Sequence, residues 1–314
     1  MGIGGIETGV RDIANYLNKK NIDNYVLCEK NNKNFNIKGL KIIKLDNLIF
    51  KNIFDQKKIK IQIKKIITTK RINLVHISSR APAFFLINYI KNLNIKVVTS
   101  VHNKYESKSI LKDWYNSFIL KGDAIIFNSN FVKKTYENKF EDKNKLYVIP
   151  RGVDTDYFSP SKEKPVSKNI FIPSRISNWK GHELLLNYFS LLERKYKDNF
   201  NIHLVSLNKS KEEKKIQLLI NKLNISKKVI IHKPTLDVKK LYKKAYLVVN
   251  ISKRPEGFGR TISEALSLSK VIIAPNQGGT KEQLLKFNKN LLFDVNSFKS
   301  FQKTFKYALK NYEA

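Results

Sequence analysis

One cysteine, Cys28, is the only thiol in the 314 residues, so an internal disulfide framework and a multi-thiolate metal site are both excluded. Cys28 reads as a core residue. No apolar run approaches the roughly 18 residues of a membrane-spanning helix. The opening MGIGGIETGV lacks the charged region and apolar core of a signal peptide. These absences predict a cytoplasmic protein. Acidic residues are also scarce, 26 against 60 Lys and Arg, giving a formal net charge of +34. Such a balance ordinarily points to nucleic acid or an anionic membrane. Lysine, however, supplies 52 of the cations and arginine 8, beside 34 asparagines, which is what an AT-rich coding sequence gives whatever the function. Nucleic-acid readers favour arginine, whose planar fork matches bases and phosphates, and these lysines are scattered rather than gathered in one arm. No specific nucleic-acid partner is expected. The charge leaves a weaker case for phosphorylated substrates, or for peripheral contact with anionic lipid at the inner face of the cytoplasmic membrane.

Several chemical signatures are missing as well. No HExxH, CxxC pair or Asp-x-Asp stands in a suitable context, so no protein-bound metal and no resident cofactor are predicted. Gly2, Gly4, Gly5 and Gly9 do not have GxGxxG spacing, and Asp23 is a poor ribose ligand without a strand before it, which disfavours a dehydrogenase.

What is present is a long series of short β-branched runs alternating with helical periodicity, the pattern of βαβ units on a parallel sheet. In the first half, strands are predicted at 25–28, 40–45, 73–77, 96–101, 124–127 and 146–149, with helices at 7–20, 59–69, 83–92, 109–120 and 131–138. Residues 150–168 hold three prolines and a Gly-Val-Asp turn and read as a linker. A second series follows, with strands at 170–173, 202–206, 229–232, 247–250, 271–274 and 291–293 and helices at 182–195, 211–223, 258–268 and 298–311. Two doubly wound domains, 1–157 and 158–314, are therefore predicted, with ligands bound outside the carboxyl ends of their strands. The chain opens in the glycine loop Gly2-Ile3-Gly4-Gly5, yet such a loop normally follows a first, central strand. That strand is absent from the sequence, so either the true start lies upstream or the chain is truncated.

The strongest chemical signal is Arg-Pro-Glu-Gly-Phe-Gly-Arg-Thr-Ile-Ser-Glu at 254–264. With a helix beginning near Phe258, the backbone N–H groups of Phe258, Gly259, Arg260 and Thr261 are offered to an anion such as a diphosphate. Glu256 and Glu264 flank them as acceptors for sugar hydroxyls. On spacing alone, a capped surface helix with two solvated glutamates accounts for the pattern about as well.

Glu-x7-Glu enclosing Phe-Gly resembles the signature of glycosyltransferase family 4, retaining enzymes of the GT-B fold that use nucleotide-diphosphate sugars. Other segments agree in order: Gly4-Gly5-Ile6-Glu7 with the family's glycine loop, Ser100-Val101-His102 with its histidine, and Val148 through Asp154 with its interdomain segment. Arg175 with Trp179-Lys180-Gly181 resembles its diphosphate-binding pair, and Gly278-Gly279 with Glu282 its closing motif. The likeness implies two Rossmann-like domains closing over the donor. It assigns Glu256 to the transferred sugar and Glu264 to the ribose. Gly5, Arg175, Lys180 and the 258–261 turn go to the diphosphate, and His102 to positioning near the sugar. It further implies a metal-independent hexosyl transfer to a glycan or a lipid-linked or lipopolysaccharide-type acceptor in cell-envelope polysaccharide synthesis, with Arg80 and Lys104 facing that acceptor. Arg151 replaces the family's common Asn, and the usual returning C-terminal helix is not evident. A catalytically silent sugar-nucleotide-binding or scaffold protein, left by truncation, is the alternative reading; His76, His182, His203 and His232 read as structural.

Overall fold

A computed structural model describes residues 5–29, 39–45, 53–106, 109–140, 145–160, 167–206, 210–233 and 237–312; Gly2, Ile3 and Gly4 of the predicted glycine loop lie outside them. The chain divides into two compact units, Met1–Arg151 and Gly152–Ala314.

The first unit runs α1 (Gly5–Lys19), β1 (Val26–Glu29), β2 (Ile42–Leu45), α2 (Ile53–Thr69), β3 (Leu74–Ile77), α3 (Arg80–Lys91), β4 (Lys96–Val101), α4 (Ile110–Ser117), β5 (Ala124–Phe127), α5 (Asn130–Lys134) and β6 (Leu146–Val148). Every strand pairing in it is parallel. Val97, Val101, Ile125 and Phe127 share one buried face of the sheet by register, and Val98, Ala124 and Ile126 on the other face are half-buried, so apolar residues stand on both faces of these runs. The strands form two sheets, β1-β2 and β3-β4-β5-β6. In a 3-2-1-4-5-6 arrangement β1 and β3 would flank the first strand, and among the described residues no strand joins them. Cys28 is buried with Ala14 and Val26 in a small satellite core under α1, as its reading as a core residue expects.

The second unit runs β7 (Asn169–Arg175), α6 (His182–Leu191), α7 (Arg194–Asn199), β8 (Asn201–Val205), α8 (Lys211–Lys222), β9 (Val229–His232), α9 (Val238–Lys244), β10 (Leu247–Val249), α10 (Arg260–Ser267), β11 (Ile272–Pro275), α11 (Gly278–Phe287), β12 (Leu292–Phe293) and α12 (Phe298–Lys310). Its six strands are parallel and ordered β12-β11-β10-β7-β8-β9, the complete doubly wound pattern with its switch between β7 and β10. Fully buried Phe171, Tyr242, Phe293, Phe301 and Phe305 fill the helix–sheet layers.

Three differences from the predicted elements have physical causes. The helix predicted over 182–195 is two helices, because Leu192 turns to an extended ψ of 157° and is itself buried. The helix predicted from Phe258 starts at Arg260, because Gly259 adopts φ +82°, a left-handed conformation open to glycine and closed to helix. α9 and α11 were not predicted: α9 is seven residues of lysine-rich sequence, and α11 opens on a glycine pair that breaks the usual propensity signal.

Candidate active site

Of the predicted site residues, all but Gly5 and His102 lie in the second unit, whose strand order reverses between β7 and β10. Arg175 is the last residue of β7. Its side chain is exposed, and among the described residues it has no salt bridge. A 3-10 turn, Asn178–Lys180, follows, and Gly181 closes it with φ +76°. A Cβ at Gly181 would run into the carbonyl of Ile251, so only glycine lets this turn press against the segment that leaves β10. The Lys180 ammonium lies 4.1 Å from the Trp179 ring centroid and 2.9 Å from Glu256 Oε1. His182, next in the chain, is sealed in the core and donates from Nε2 to the Ser174 carbonyl at 3.1 Å. Burial pushes its pKa down to about 4, so it is neutral and structural.

Glu256 is the centre of the site. Asn250, immediately after β10, donates from Nδ2 to Glu256 Oε1 at 2.9 Å and to Thr261 Oγ1 at 3.0 Å. Its Oδ1 in turn accepts the Ser252 N–H at 3.1 Å, and the Ser252 hydroxyl donates to the same Oε1. Burial works to raise the Glu256 pKa, but the Lys180 charge and the hydrogen bonds from Ser252, Lys180 and Asn250 outweigh it and hold the carboxyl below its usual range. All three donors converge on Oε1, and among the described residues none is bound to Oε2.

The second carboxylate is held differently. Arg260 Nε donates to Glu264 Oε1 at 2.8 Å, one turn along α10, and the Tyr242 hydroxyl donates to Oε2 at 2.8 Å from a fully buried position on α9. Arg260 therefore directs its guanidinium at Glu264. Phe258 is buried, so its contribution to any ligand is through its backbone. α11 pins this loop from behind: Gly279 N–H donates to the Glu256 carbonyl at 2.8 Å, Gln277 Nε2 to the Ser252 carbonyl at 2.9 Å, and Gln283 Nε2 to the Phe258 carbonyl at 2.5 Å. The Gly278-Gly279 pair is thus the start of a helix packed on the Glu256 loop.

Asn250, Ser252 and Tyr242 were not singled out by the sequence. Asn250 and Ser252 had a signal, since polar residues directly after the buried strand β10 stand at its carboxyl end. Tyr242 had none.

Gly5 and His102 belong to the first unit. Gly5 is the first residue of α1, and its carbonyl accepts a hydrogen bond from Arg151 Nη1. A Cβ there would lie 3.0 Å from that guanidinium. The close approach that the absent side chain permits in this unit is therefore to Arg151. His102 follows β4, with both ring nitrogens buried and no hydrogen bond to either among the described residues. Burial, and then the charges of Arg151 and His76, push its pKa down to about 3, against a smaller opposing effect of the Ser78 backbone. The imidazole is neutral at physiological pH. His76 is occupied with Ser100 Oγ at 2.7 Å. Among the described residues, no group of three or more His, Cys, Asp or Glu is placed to hold a metal ion. No described helix is long and apolar enough to cross a membrane.

Comparison with known proteins agrees with this architecture. Residues 3–157 match the profile of Glycosyltransferase Family 4 and residues 154–314 that of Glycosyl transferases group 1. An uncharacterized glycosyltransferase of Methanocaldococcus jannaschii is 30% identical over 171 residues, 51% of this chain and 41% of the relative. A second from that organism is 24% identical over 74% of this chain and 64% of its own, so the chain spans less than two thirds of the length of these curated relatives. Among solved structures, a glycosyltransferase from Rickettsia africae superposes with a TM-score of 0.83 at 28% identity, covering 100% of this chain and 87% of the other. Anabaena Alr3699/HepE, solved in complex with UDP and glucose, gives 0.77 at 16% identity over 98% and 87%. The second-unit profile covers half of the chain and the fold is that of these two-domain structures: the chain belongs to the glycosyl transferases group 1 family, with a family 4 glycosyltransferase domain ahead of it, in the GT-B fold.

Proposed function

We propose that this protein is a retaining glycosyltransferase that moves a hexosyl group from a nucleotide-diphosphate sugar to a glycan or a lipid-linked or lipopolysaccharide-type acceptor of the cell envelope. The observation that carries the reading is the placement of two differently held carboxylates, Glu256 and Glu264, on either side of the N-terminus of α10 at the switch point of the second sheet. In this reading Glu264 binds the ribose hydroxyls, and Glu256 accepts a hydroxyl of the transferred sugar on Oε2, its Oε1 being engaged by Lys180, Asn250 and Ser252. The solution of Anabaena Alr3699/HepE with UDP and glucose supports a donor of this class.

As the bond between the anomeric carbon and the diphosphate oxygen breaks, negative charge grows on the leaving group. Arg175, Lys180 and the first-turn N–H groups of α10 are the donors assigned to it. This division of labour requires no metal. The acceptor hydroxyl forms its new bond on the face the diphosphate leaves, and its proton passes to a phosphate oxygen, so configuration is retained. The acceptor is assigned to the first unit, and neutral His102 there to positioning near the sugar rather than to nucleophilic attack.

The test is a thermal-shift series with UDP, GDP, ADP and their sugar conjugates, followed by a transfer assay with the stabilising donor. At a hundredfold excess over Kd a ligand of the native state adds about 2.7 kcal/mol of stability, and one nucleotide series is expected to do so. A folded chain that no nucleotide stabilises overturns the reading. Stabilisation without hydrolysis or transfer favours the silent sugar-nucleotide-binding alternative.

A further inference from the structure

Trp179 stands between Arg175 and Lys180 in the stretch assigned to the diphosphate, and the transfer reading gives it no role. It is 41% exposed. A lone exposed ring is ordinary on a protein surface, but this one is mounted on a turn that is held from two sides. The Lys253 N–H donates to the Trp179 carbonyl at 2.8 Å, and Gly181, with φ +76°, lies so close to the Ile251 carbonyl that a Cβ would strike it. The turn that carries the indole is therefore strapped to the segment leaving β10.

One cation ties the ring to the site. The Lys180 ammonium lies 4.1 Å from the ring centroid and 2.9 Å from Glu256 Oε1, so a single ammonium separates the indole from the carboxylate. The Lys180 side chain is only 18% exposed, and a partly desolvated cation holds an aromatic ring more firmly than one in water. Two unlike surfaces then stand side by side. One is flat, apolar and exposed; the other is a carboxylate whose Oε2 has no donor bound to it among the described residues.

A pyranose has the same two characters, with hydroxyls around its edge and C–H groups across its faces. A carboxylate for the edge and an indole for a face suit it with few partners. A nucleobase also stacks on aromatic rings. The transfer reading, however, puts the diphosphate between Glu256 and Glu264, so the base belongs on the Glu264 side and the indole on the side of the sugar. We propose that Trp179 is the stacking platform of a pyranose-binding subsite beside Glu256. The place of the pyranose rests on the transfer reading. The hexosyl group of a donor and a sugar of an acceptor offer the same C–H face, and the experiment separates them.

The chain has two tryptophans. Trp114→Phe, which keeps a ring against Phe84 and Phe118, leaves Trp179 as the sole reporter in the full chain, and acrylamide, an uncharged quencher, reads how much of its indole is open. UDP, GDP and ADP should leave the indole open. The hexose conjugate of the nucleotide that binds should shield it if the donor supplies the pyranose; methyl hexosides added to the nucleoside diphosphate complex should shield it, and the conjugate not, if the acceptor does. Whichever sugar shields the ring should bind Trp179→Leu about tenfold more weakly, with Trp179→Phe in between and the nucleoside diphosphate changed by less than about twofold. Equal losses for sugar and nucleoside diphosphate would mean that the indole only seats Lys180, and an indole equally open with every conjugate and hexoside would mean that no sugar lies on it. Either result overturns the proposal, and the transfer reading survives both if one nucleotide stabilises the chain. Hexosides that shield Trp179 in a chain no nucleotide stabilises would keep the platform and remove the donor reading.

Discussion

Lys180 and Glu256, 76 positions apart in the chain, meet at 2.9 Å with side chains only 18% and 11% exposed. Each is the condition for the other. A carboxylate this buried would take up a proton without the ammonium beside it, and the ammonium would be stranded without the carboxylate. The pair also presets the geometry a donor would meet, because Lys180 holds Oε1 and leaves Oε2 as the oxygen with no donor bound to it among the described residues.

Removing either partner should therefore cost stability as well as turnover. Glu256→Gln and Lys180→Met should each lower the melting temperature, and the double variant should lose less than the two losses added, with a coupling of about 1–3 kcal/mol. Chemical denaturation of the four proteins measures it. Strict additivity would show that the two groups do not sense each other. Glu256 is thus a buried, braced carboxylate and not the solvated one of the capped-surface-helix account.

Tyr242→Phe isolates the positioning of Glu264. The ring stays and only the donor to Oε2 is lost, which leaves a partly buried carboxylate short of one hydrogen bond at a cost of about 1–3 kcal/mol. Nucleoside binding should weaken by about tenfold, with KM for the donor rising more than kcat falls. Glu264→Gln should give a similar KM effect, and the double variant should add little. A Tyr242→Phe protein with unchanged KM and reduced stability would confine Tyr242 to packing.

Arg175→Gln should leave stability within about 0.5 kcal/mol, as befits an exposed side chain with no salt bridge among the described residues. It should also weaken binding of a nucleoside diphosphate more than of the nucleoside. Calorimetric titration with both ligands decides the point, and equal losses would take Arg175 out of the diphosphate site.

The alternation of strands and helices was legible because both faces of these sheets are covered: β4, β5 and β9 coincide with the predicted runs, each short, rich in β-branched residues and without a helical period. The second sheet's switch point between β7 and β10 is read from the folded chain; the sequence yields only the expectation that ligands bind at the carboxyl ends of the strands. What the sequence concealed was direction. Lys180 and Glu264 were read as ligand groups and Arg260 as a backbone donor, but spacing gave no sign that Lys180 pairs with Glu256 and the Arg260 side chain with Glu264. Tyr242 was invisible because its one polar atom acts from a fully buried position on a short helix whose sequence, VKKLYKK, carries no motif. Arg151 was noted only as a departure, and its guanidinium closes on the start of α1, a contact between residues 146 apart that spacing does not reveal.

The histidines give the stability a pH dependence whose sign is fixed. His102 and His182 have folded values of about 3 and 4 against the usual 6.5, because burial penalises the imidazolium. Below about pH 6.5 the unfolded chain binds protons that the folded one refuses, so stability is full above that value and is lost as the pH falls toward 4. Each such histidine contributes a slope of at most about 1.4 kcal/mol per pH unit. Glu256, lowered from 4.5, adds loss in the same direction below about pH 4.5, where the unfolded chain again takes the proton first. The melting temperature should therefore drop steadily from pH 7 to pH 5. His102→Gln, which cannot charge, should flatten the drop without altering its onset, since His182 remains. Coincident profiles for the two proteins would mean that the His102 ring accepts its proton in the folded state, and that its buried surroundings open to water near neutral pH.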